Sequence, residues 1–172
     1  MNGETVFIQH YDSPCGKMVL ASVGDKLCLC DWSEMPCAER NMHRLARLMH
    51  ATFKTESTRV LEQAMAQLNE YFAGTRTTFT IPLRHVGTDF QQRVWNALLQ
   101  IPYGTTRSYK DIAISVGNAK AIRAVAQAIG ANGISIFIPC HRVIGTNRSL
   151  TGYAGGLPTK HALLSLENPQ KP

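Results

Sequence analysis

The sequence predicts an α/β protein of two units: an N-terminal small antiparallel sheet with helices, then a C-terminal mostly helical unit with a helix-turn-helix and a short strand leading to a cysteine. Three observations carry this reading. Apolar runs at residues 5–9, 17–23 and 27–32 are separated by turn residues, the pattern of a small β-meander. Further segments instead repeat apolar side chains at helical spacing. Charge divides as well. Residues 1–87 hold nine Lys/Arg and nine Asp/Glu, whereas 88–172 hold nine Lys/Arg against only Asp89, Asp111 and Glu167, so the whole net charge of +6 lies in the second half. The expected boundaries are 1–82 for the first unit, 83–87 for a connector and 88–172 for the second unit.

In the first unit, Ser13-Pro14-Cys15-Gly16 and Val23-Gly24-Asp25-Lys26 are turn signals between the strands. From Cys37 to His50, Met42, Leu45, Leu48 and Met49 recur at helical spacing. From Val60 to Ala73 the stripe is Leu61, Met65, Leu68 and Phe72, with Ser57 or Thr58 as the N-cap and Gly74 as the stop. Thr77-Phe79-Ile81 alternates like an edge strand, and Pro82 ends it. None of these residues forms a recognisable reaction centre.

The second unit opens on a helix capped by Thr88 or Asp89, with Phe90, Val94 and Leu98 on one face and Trp95 beside them; Pro102 closes it. Ser108 with Asp111 three residues on resembles a capping box, with Asp in place of Glu or Gln. Gly117-Asn118 breaks that short helix, and another follows from about Ala119 to Ile129. Two short helices around a Gly-containing turn form the helix-turn-helix pattern. The second is slim: Ala119, Ala121, Ala124, Ala126 and Ala128 leave Lys120 and Arg123 as its only charges. Such a helix can press into a nucleic-acid groove, or it is slim for tight packing.

Ile134 to Ile138 is a short apolar run that reads as a buried strand, and Pro139, with no N–H, should stop it. Cys140, His141 and Arg142 then emerge where the backbone must turn. A thiol beside a base and a cation suits a nucleophile. The competing structural reading is a cysteine packed as a small hydrophobe. Because neighbours on an extended chain face opposite ways, Cys140 and His141 meet only through a turn or a bridging water. Gly152-Tyr153-Ala154-Gly155-Gly156 reads as a tight loop, and a last helix starts near Pro158 with Leu163, Leu164 and Leu166 as its apolar face. Glu167 sits in the final turn, where the helix dipole disfavours an anion. That placement predicts a cationic partner, with His141 the obvious candidate.

Composition excludes several classes. Apolar runs are too short to span a bilayer, and no basic-then-apolar leader opens the chain, so the protein is expected in the cytoplasm without membrane contact. Five cysteines, an odd number, argue for reduced thiols rather than a disulfide framework. Cys28, Cys30, Cys37 and His43 lack a standard zinc spacing, so no metal is expected. Excess base confined to one half suits a polyanionic partner.

Several motifs in one order resemble the O6-alkylguanine-DNA alkyltransferase family. They are Phe90-Gln91-x-x-Val94-Trp95, Ile101-Pro102-x-Gly104, Ser108-Tyr109, Arg123-Ala124-Val125, Asn132, Ile138-Pro139-Cys140-His141-Arg142-Val143, Gly152-Tyr153-x-Gly155-Gly156 and Lys160 through Glu167. The first half matches more loosely, through Ser13-Pro14-x-Gly16 and Glu70-Tyr71-Phe72-x-Gly74. The resemblance implies direct, irreversible, single-turnover transfer of an alkyl group from O6-alkylguanine in duplex DNA to Cys140, and leaves activity toward O4-alkylthymine open. It implies a monomer and no cofactor. By the same resemblance His141 is the water-linked base, Glu167 orients it, and Asn132 holds the turn. Tyr109 rotates the nucleotide's phosphate and assists at the purine. Tyr153, Val143, Ala154, Gly155, Gly156 and Ser135 line the substrate pocket, and the carbonyls of Cys140 and Val143 select guanine. Arg123 enters the base stack through the minor groove, and Ala121, Ala124, Lys120, Thr106 and Arg148 join Tyr109 against the DNA.

Four positions depart from the family pattern: Ala126 and Arg148 where glycine is common, Gly133 where proline is common, and Ala154 beside the pocket. If Arg148 needs positive φ, the cost is about 1 kcal/mol. Other readings are a non-enzymatic sensor of alkylated DNA, whose acceptor position holds another residue, a thiol hydrolase, and a transcription regulator, for which the chain is short.

Overall fold

The computed structural model describes residues 2–170 and divides into two compact units at Val86 and Gly87. In the first, β1 (Thr5–Ser13), β2 (Gly16–Val23) and β3 (Lys26–Trp32) form the expected antiparallel meander. A further strand, β4 (Thr52–Thr55), pairs parallel with β1, giving the order β3-β2-β1-β4 and making the sheet mixed. Four residues with only Phe53 apolar are too short a pattern to read as a strand.

Helix α1 (Pro36–Met49) packs Ala38, Leu45 and Met49 against Val6, Ile8, Val19, Ala21 and Leu29. Helix α2 (Arg59–Phe72) covers the other face, where Ser22 meets Thr58 and the Tyr11 hydroxyl donates to Asn69. Coverage on both faces explains why β2 is buried continuously from Met18 to Val23 rather than alternately. Thr58, not Ser57, caps α2, and Gly74 follows at φ 78°.

The edge strand expected over Thr77-Phe79-Ile81 is absent. That segment is held instead by the Gln67 side chain, which accepts from the Thr80 N–H and donates to its hydroxyl. Sheet pairing resumes at Pro82, whose carbonyl accepts from the Leu27 N–H, and continues as Leu83 bridges Leu27 and the Arg84 N–H donates to the Leu27 carbonyl. Arg84 also forms an ion pair with Glu4. The stretch expected as a connector therefore begins inside the first unit.

In the second unit, α3 (Asp89–Leu98) starts at Thr88 with a full capping box to Gln91, and Trp95 donates its indole N–H to the Ala128 carbonyl at 2.8 Å. Gly87 lies so close that an added Cβ would sit 2.5 Å from the Trp95 ring, so no larger residue fits there. Strand β5 (Arg107–Ser108) leads into α4 (Tyr109–Ser115), where Ser108 and Asp111 make both capping-box bonds. Helix α5 (Ile122–Gly130) packs against α3 and α4 through Val125, Ala128 and Ile129. It begins later than the alanine pattern suggests, because Ala119–Ala121 belong to the turn after Gly117. A 3-10 turn (Cys140–Arg142), β6 (Val143–Ile144, parallel to β5) and α6 (Leu157–Glu167) complete the unit. Among the described residues no helix is long and apolar enough to cross a membrane.

Candidate active site and nucleic-acid interface

Residues 134–138 do not form the expected strand. They fold as a tight turn in which the Phe137 N–H donates to Ser135 and the Ile138 N–H to Ile134, with Ile136 at φ 73°. Asn132 supplies the reason. Its Nδ2 donates to the Ile138 carbonyl and its Oδ1 accepts from the Ile134 N–H, both at 3.0 Å. The side chain thus takes the backbone groups a strand would have paired. The apolar run is still explained, since Ile134, Ile136, Phe137 and Ile138 are all buried. Pro139 then hands the chain to the 3-10 turn, in which the Cys140 N–H donates to Ile138 and the Arg142 N–H to Pro139.

The turn sets Cys140, 5% exposed, beside a buried polar line. His141 Nε2 donates to Glu167 Oε1 at 2.6 Å, and both residues are buried. Arg142 grips the same carboxylate twice, Nε to Oε2 at 2.8 Å and Nη2 to Oε1 at 2.9 Å, while its Nη1 donates to the Ile101 carbonyl. Burial alone would raise the Glu167 carboxyl, but the hydrogen bonds and charge of His141 and Arg142 outweigh it and hold it down at about 2. His141 is pushed down by burial, with Glu167 opposing, so the ring is neutral at physiological pH. With Nε2–H committed to Glu167, Nδ1 is the basic atom; it is buried and has no hydrogen-bond partner among the described residues.

Sequence reasoning placed His141 opposite Glu167 but missed Arg142. The argument that put an anion against the helix dipole admits it equally, one residue further along. It also missed Lys160, which is wholly buried and donates to the carbonyls of Val143 (2.5 Å), Thr151 (3.1 Å) and Gly152 (3.2 Å). The signal was spacing: Lys160, Leu163 and Glu167 share the buried face of α6. The half-buried Tyr109 also donates to the Thr151 carbonyl, at 2.9 Å. Burial first, and then the charge of Cys140, raise its phenol.

Other predicted site residues lie outside this hydrogen-bonded cluster. Arg123 and Ala124 are exposed in the first turn of α5, with Lys120 exposed and Ala121 half-buried just before it. Thr106 precedes β5. Arg148 is exposed with φ 63°, in a turn closed by its own N–H to the Gly145 carbonyl. Tyr153, Ala154, Gly155 and Gly156 are half-buried in the loop before α6, whereas Ser135 is entirely buried and presents no open surface. Cys140 does not line the cavity of about 840 Å³ in this unit, which lies between Thr105–Ser108 and Gly145–Arg148, with Glu167 at its wall.

Two of the other cysteines, Cys28 and Cys37, make local hydrogen bonds. Cys37 donates to Asp31, which also accepts from Asn41, and Cys28 donates to the Ala21 carbonyl. Burial pushes both thiols up to about 12. Among the described residues no group of three or more His, Cys, Asp or Glu could hold a metal ion.

Fold and site together define a two-unit α/β protein whose C-terminal unit joins a helix-turn-helix to a cysteine backed by imidazole, carboxylate and guanidinium. Comparison with known proteins gives the family. Residues 89–169 match the DNA binding domain of 6-O-methylguanine DNA methyltransferase and residues 6–85 match its ribonuclease-like domain. The constitutive methylated-DNA–protein-cysteine methyltransferase of Bacillus subtilis is 44% identical over 162 residues, covering 91% of this chain and 92% of that protein. The Mycobacterium tuberculosis methylated-DNA–protein-cysteine methyltransferase is 46% identical over 168 residues, covering 95% and 94%. The crystal structure of Mycobacterium tuberculosis OGT in complex with DNA superposes with a TM-score of 0.81 at 44% identity, covering 98% of this chain and 95% of that one. The chain belongs to the 6-O-methylguanine DNA methyltransferase family.

Proposed function

We propose that the protein repairs DNA by moving the alkyl group of O6-alkylguanine onto Cys140, once per molecule. The observation that carries this reading is the buried His141–Glu167 hydrogen bond directly after Cys140, in a chain that matches the family along nearly its whole length. Neutral His141 takes the thiol proton at Nδ1, directly or through a water, and the imidazolium formed is stabilised by Glu167. Arg142 keeps that carboxylate ionised. The thiolate sulfur then attacks the alkyl carbon; the S–C bond forms as the C–O bond breaks, and guanine leaves with that electron pair and takes up a proton. A thioether is not hydrolysed by water, so the acceptor is consumed.

The reacting carbon is inaccessible in a stacked duplex, so the nucleotide must be extruded at a cost of a few kcal/mol. Arg123, projecting from the small-sided α5, fills the gap left in the stack, and Tyr109 steers the phosphate. The carbonyls of Cys140 and Val143 select guanine by accepting from its exocyclic amine. Lys120, Thr106 and Arg148 add phosphate contacts without sequence information. The work belongs in the cytoplasm. A sensor that binds without repairing is disfavoured by the cysteine at the acceptor position.

The test is incubation with duplex DNA carrying O6-methylguanine, followed by intact mass. The wild type should gain one methyl group per chain and Cys140→Ala none. A folded wild type of unchanged mass would overturn the reading.

A further inference from the structure

In the first unit, positive charge gathers on one helix. Residues 1–87 are neutral in sum, yet α1 carries Arg40, Arg44 and Arg47 against Glu39 alone. At helical spacing these arginines and His43 fall within about 100° of arc, a stripe about 10 Å long from Arg40 to Arg47. Like charges three and four residues apart repel, so the stripe costs the helix stability. Burial, and then the charge of Arg40, lower the Arg44 guanidinium, with Asp31 opposing. Arg40 and Arg47 are exposed, and among the described residues neither forms an ion pair.

A hollow lies directly beside the stripe. Arg40, His43, Arg44 and Arg47 line a surface cavity of about 510 Å³, which shares Glu39 and His43 with a second of about 410 Å³. The second is apolar: Val19, Ala38, Met42, Ala46 and Phe53 wall it, between α1 and the sheet. Met42 and Phe53 are only partly buried. A basic stripe and an apolar groove therefore run side by side along one helix.

We propose that this surface docks an extended acidic peptide segment, its carboxylates on Arg40, Arg44 and Arg47 and its alternate apolar side chains in the groove. Other polyanions fit it less well. Duplex DNA would pair with the arginines, but it presents phosphates and sugars rather than apolar side chains to fill the groove. An anionic bilayer takes up apolar residues that protrude, whereas these line a hollow. An extended chain meets both requirements, because its successive side chains face opposite ways. Those on one side repeat every ~6.7 Å, close to the ~6 Å axial step from Arg40 to Arg44. Exposed ion pairs contribute little singly, so the apolar anchors supply affinity while the arginines fix orientation and speed encounter. The surface belongs wholly to the first unit, and the proposal holds whether or not Cys140 is the alkyl acceptor.

The test is fluorescence anisotropy of the full chain with a fluorescein-labelled peptide, Asp-Leu-Asp-Phe-Asp-Leu-Asp, and two analogues. One analogue has asparagine for every aspartate, the other serine for every leucine and phenylalanine. The acidic peptide should bind saturably, and each analogue about tenfold more weakly or worse. Arg40→Glu combined with Arg47→Glu should weaken the acidic peptide by at least as much. No saturable binding, equal binding by either analogue, or unchanged affinity in the double variant would overturn the proposal. Two rival outcomes would overturn it as well. If the double variant lost unmodified duplex DNA as strongly as the peptide, the stripe would be a nucleic-acid surface. If wild type formed a concentration-dependent dimer that the double variant abolished, it would be an interface between copies of this chain. Should the double variant fail to fold, the two analogues decide alone.

Discussion

At the scale of residues, a single carboxylate organises the buried polar line behind Cys140. Glu167 accepts from His141 and twice from Arg142, and this is why an anion can sit buried at the wrong end of a helix dipole. Its carboxyl is held at about 2 against an ordinary 4.5, so the folded state gains about 3 kcal/mol that is complete above pH 4.5 and lost as pH falls towards 2. His141, lowered by burial, adds a loss of the same sign below its ordinary 6.5, because the unfolded chain takes up that proton more readily. Urea unfolding at successive pH values should therefore show stability declining from near pH 6.5 downward, with the steepest part below pH 4.5 flattened in Glu167→Gln. Arg142→Ala leaves a buried carboxylate half-compensated and should cost about 3–5 kcal/mol in the same assay. Glu167 was legible because an acid against a dipole asks for a cation; which cation was not, since two neighbours qualify. Arg148 was the reverse case. Its departure from glycine predicted strain only if the turn needs positive φ, and it sits at 63°. Arg148→Gly should raise unfolding stability by about 1 kcal/mol.

Among elements, the legible ones carry their signals locally. Ser108 and Asp111 cap α4, and the Leu61–Leu68 stripe marks α2, because both devices act within a turn or two of helix. The expected strands at 134–138 and 77–81 failed for a common reason. In each, an amide side chain from elsewhere, Asn132 or Gln67, takes the backbone groups that a ladder would have used, and apolar alternation cannot report that competition. The first of these leads directly into Cys140, so in the proposed mechanism the turn positions the sulfur. Asn132→Ala leaves the Ile138 carbonyl and Ile134 N–H without their partner and should cost about 1–3 kcal/mol. Reaction with free O6-benzylguanine should slow along with it, and a destabilised variant with an unchanged rate would show that the turn does not position the sulfur.

For the whole molecule, the division of charge and the order of motifs were plain in the sequence, whereas β4 and the inclusion of Leu83 and Arg84 in the first unit depend on long-range pairing that no local pattern reveals. The net +6 confined to the second half implies that affinity for duplex DNA falls steeply and linearly with salt on logarithmic axes. Arg123→Ala should slow repair in duplex DNA by about tenfold or more, as the unstacking cost goes uncompensated, while reaction with the free base is untouched. The central claim is that one sulfur, backed by His141 and Glu167, receives the alkyl group. Peptide mass mapping after reaction with methylated duplex tests it most directly: the methyl group should lie on Cys140 alone. A methyl group found on Cys15, Cys28, Cys30 or Cys37, with Cys140 unmodified, would contradict it.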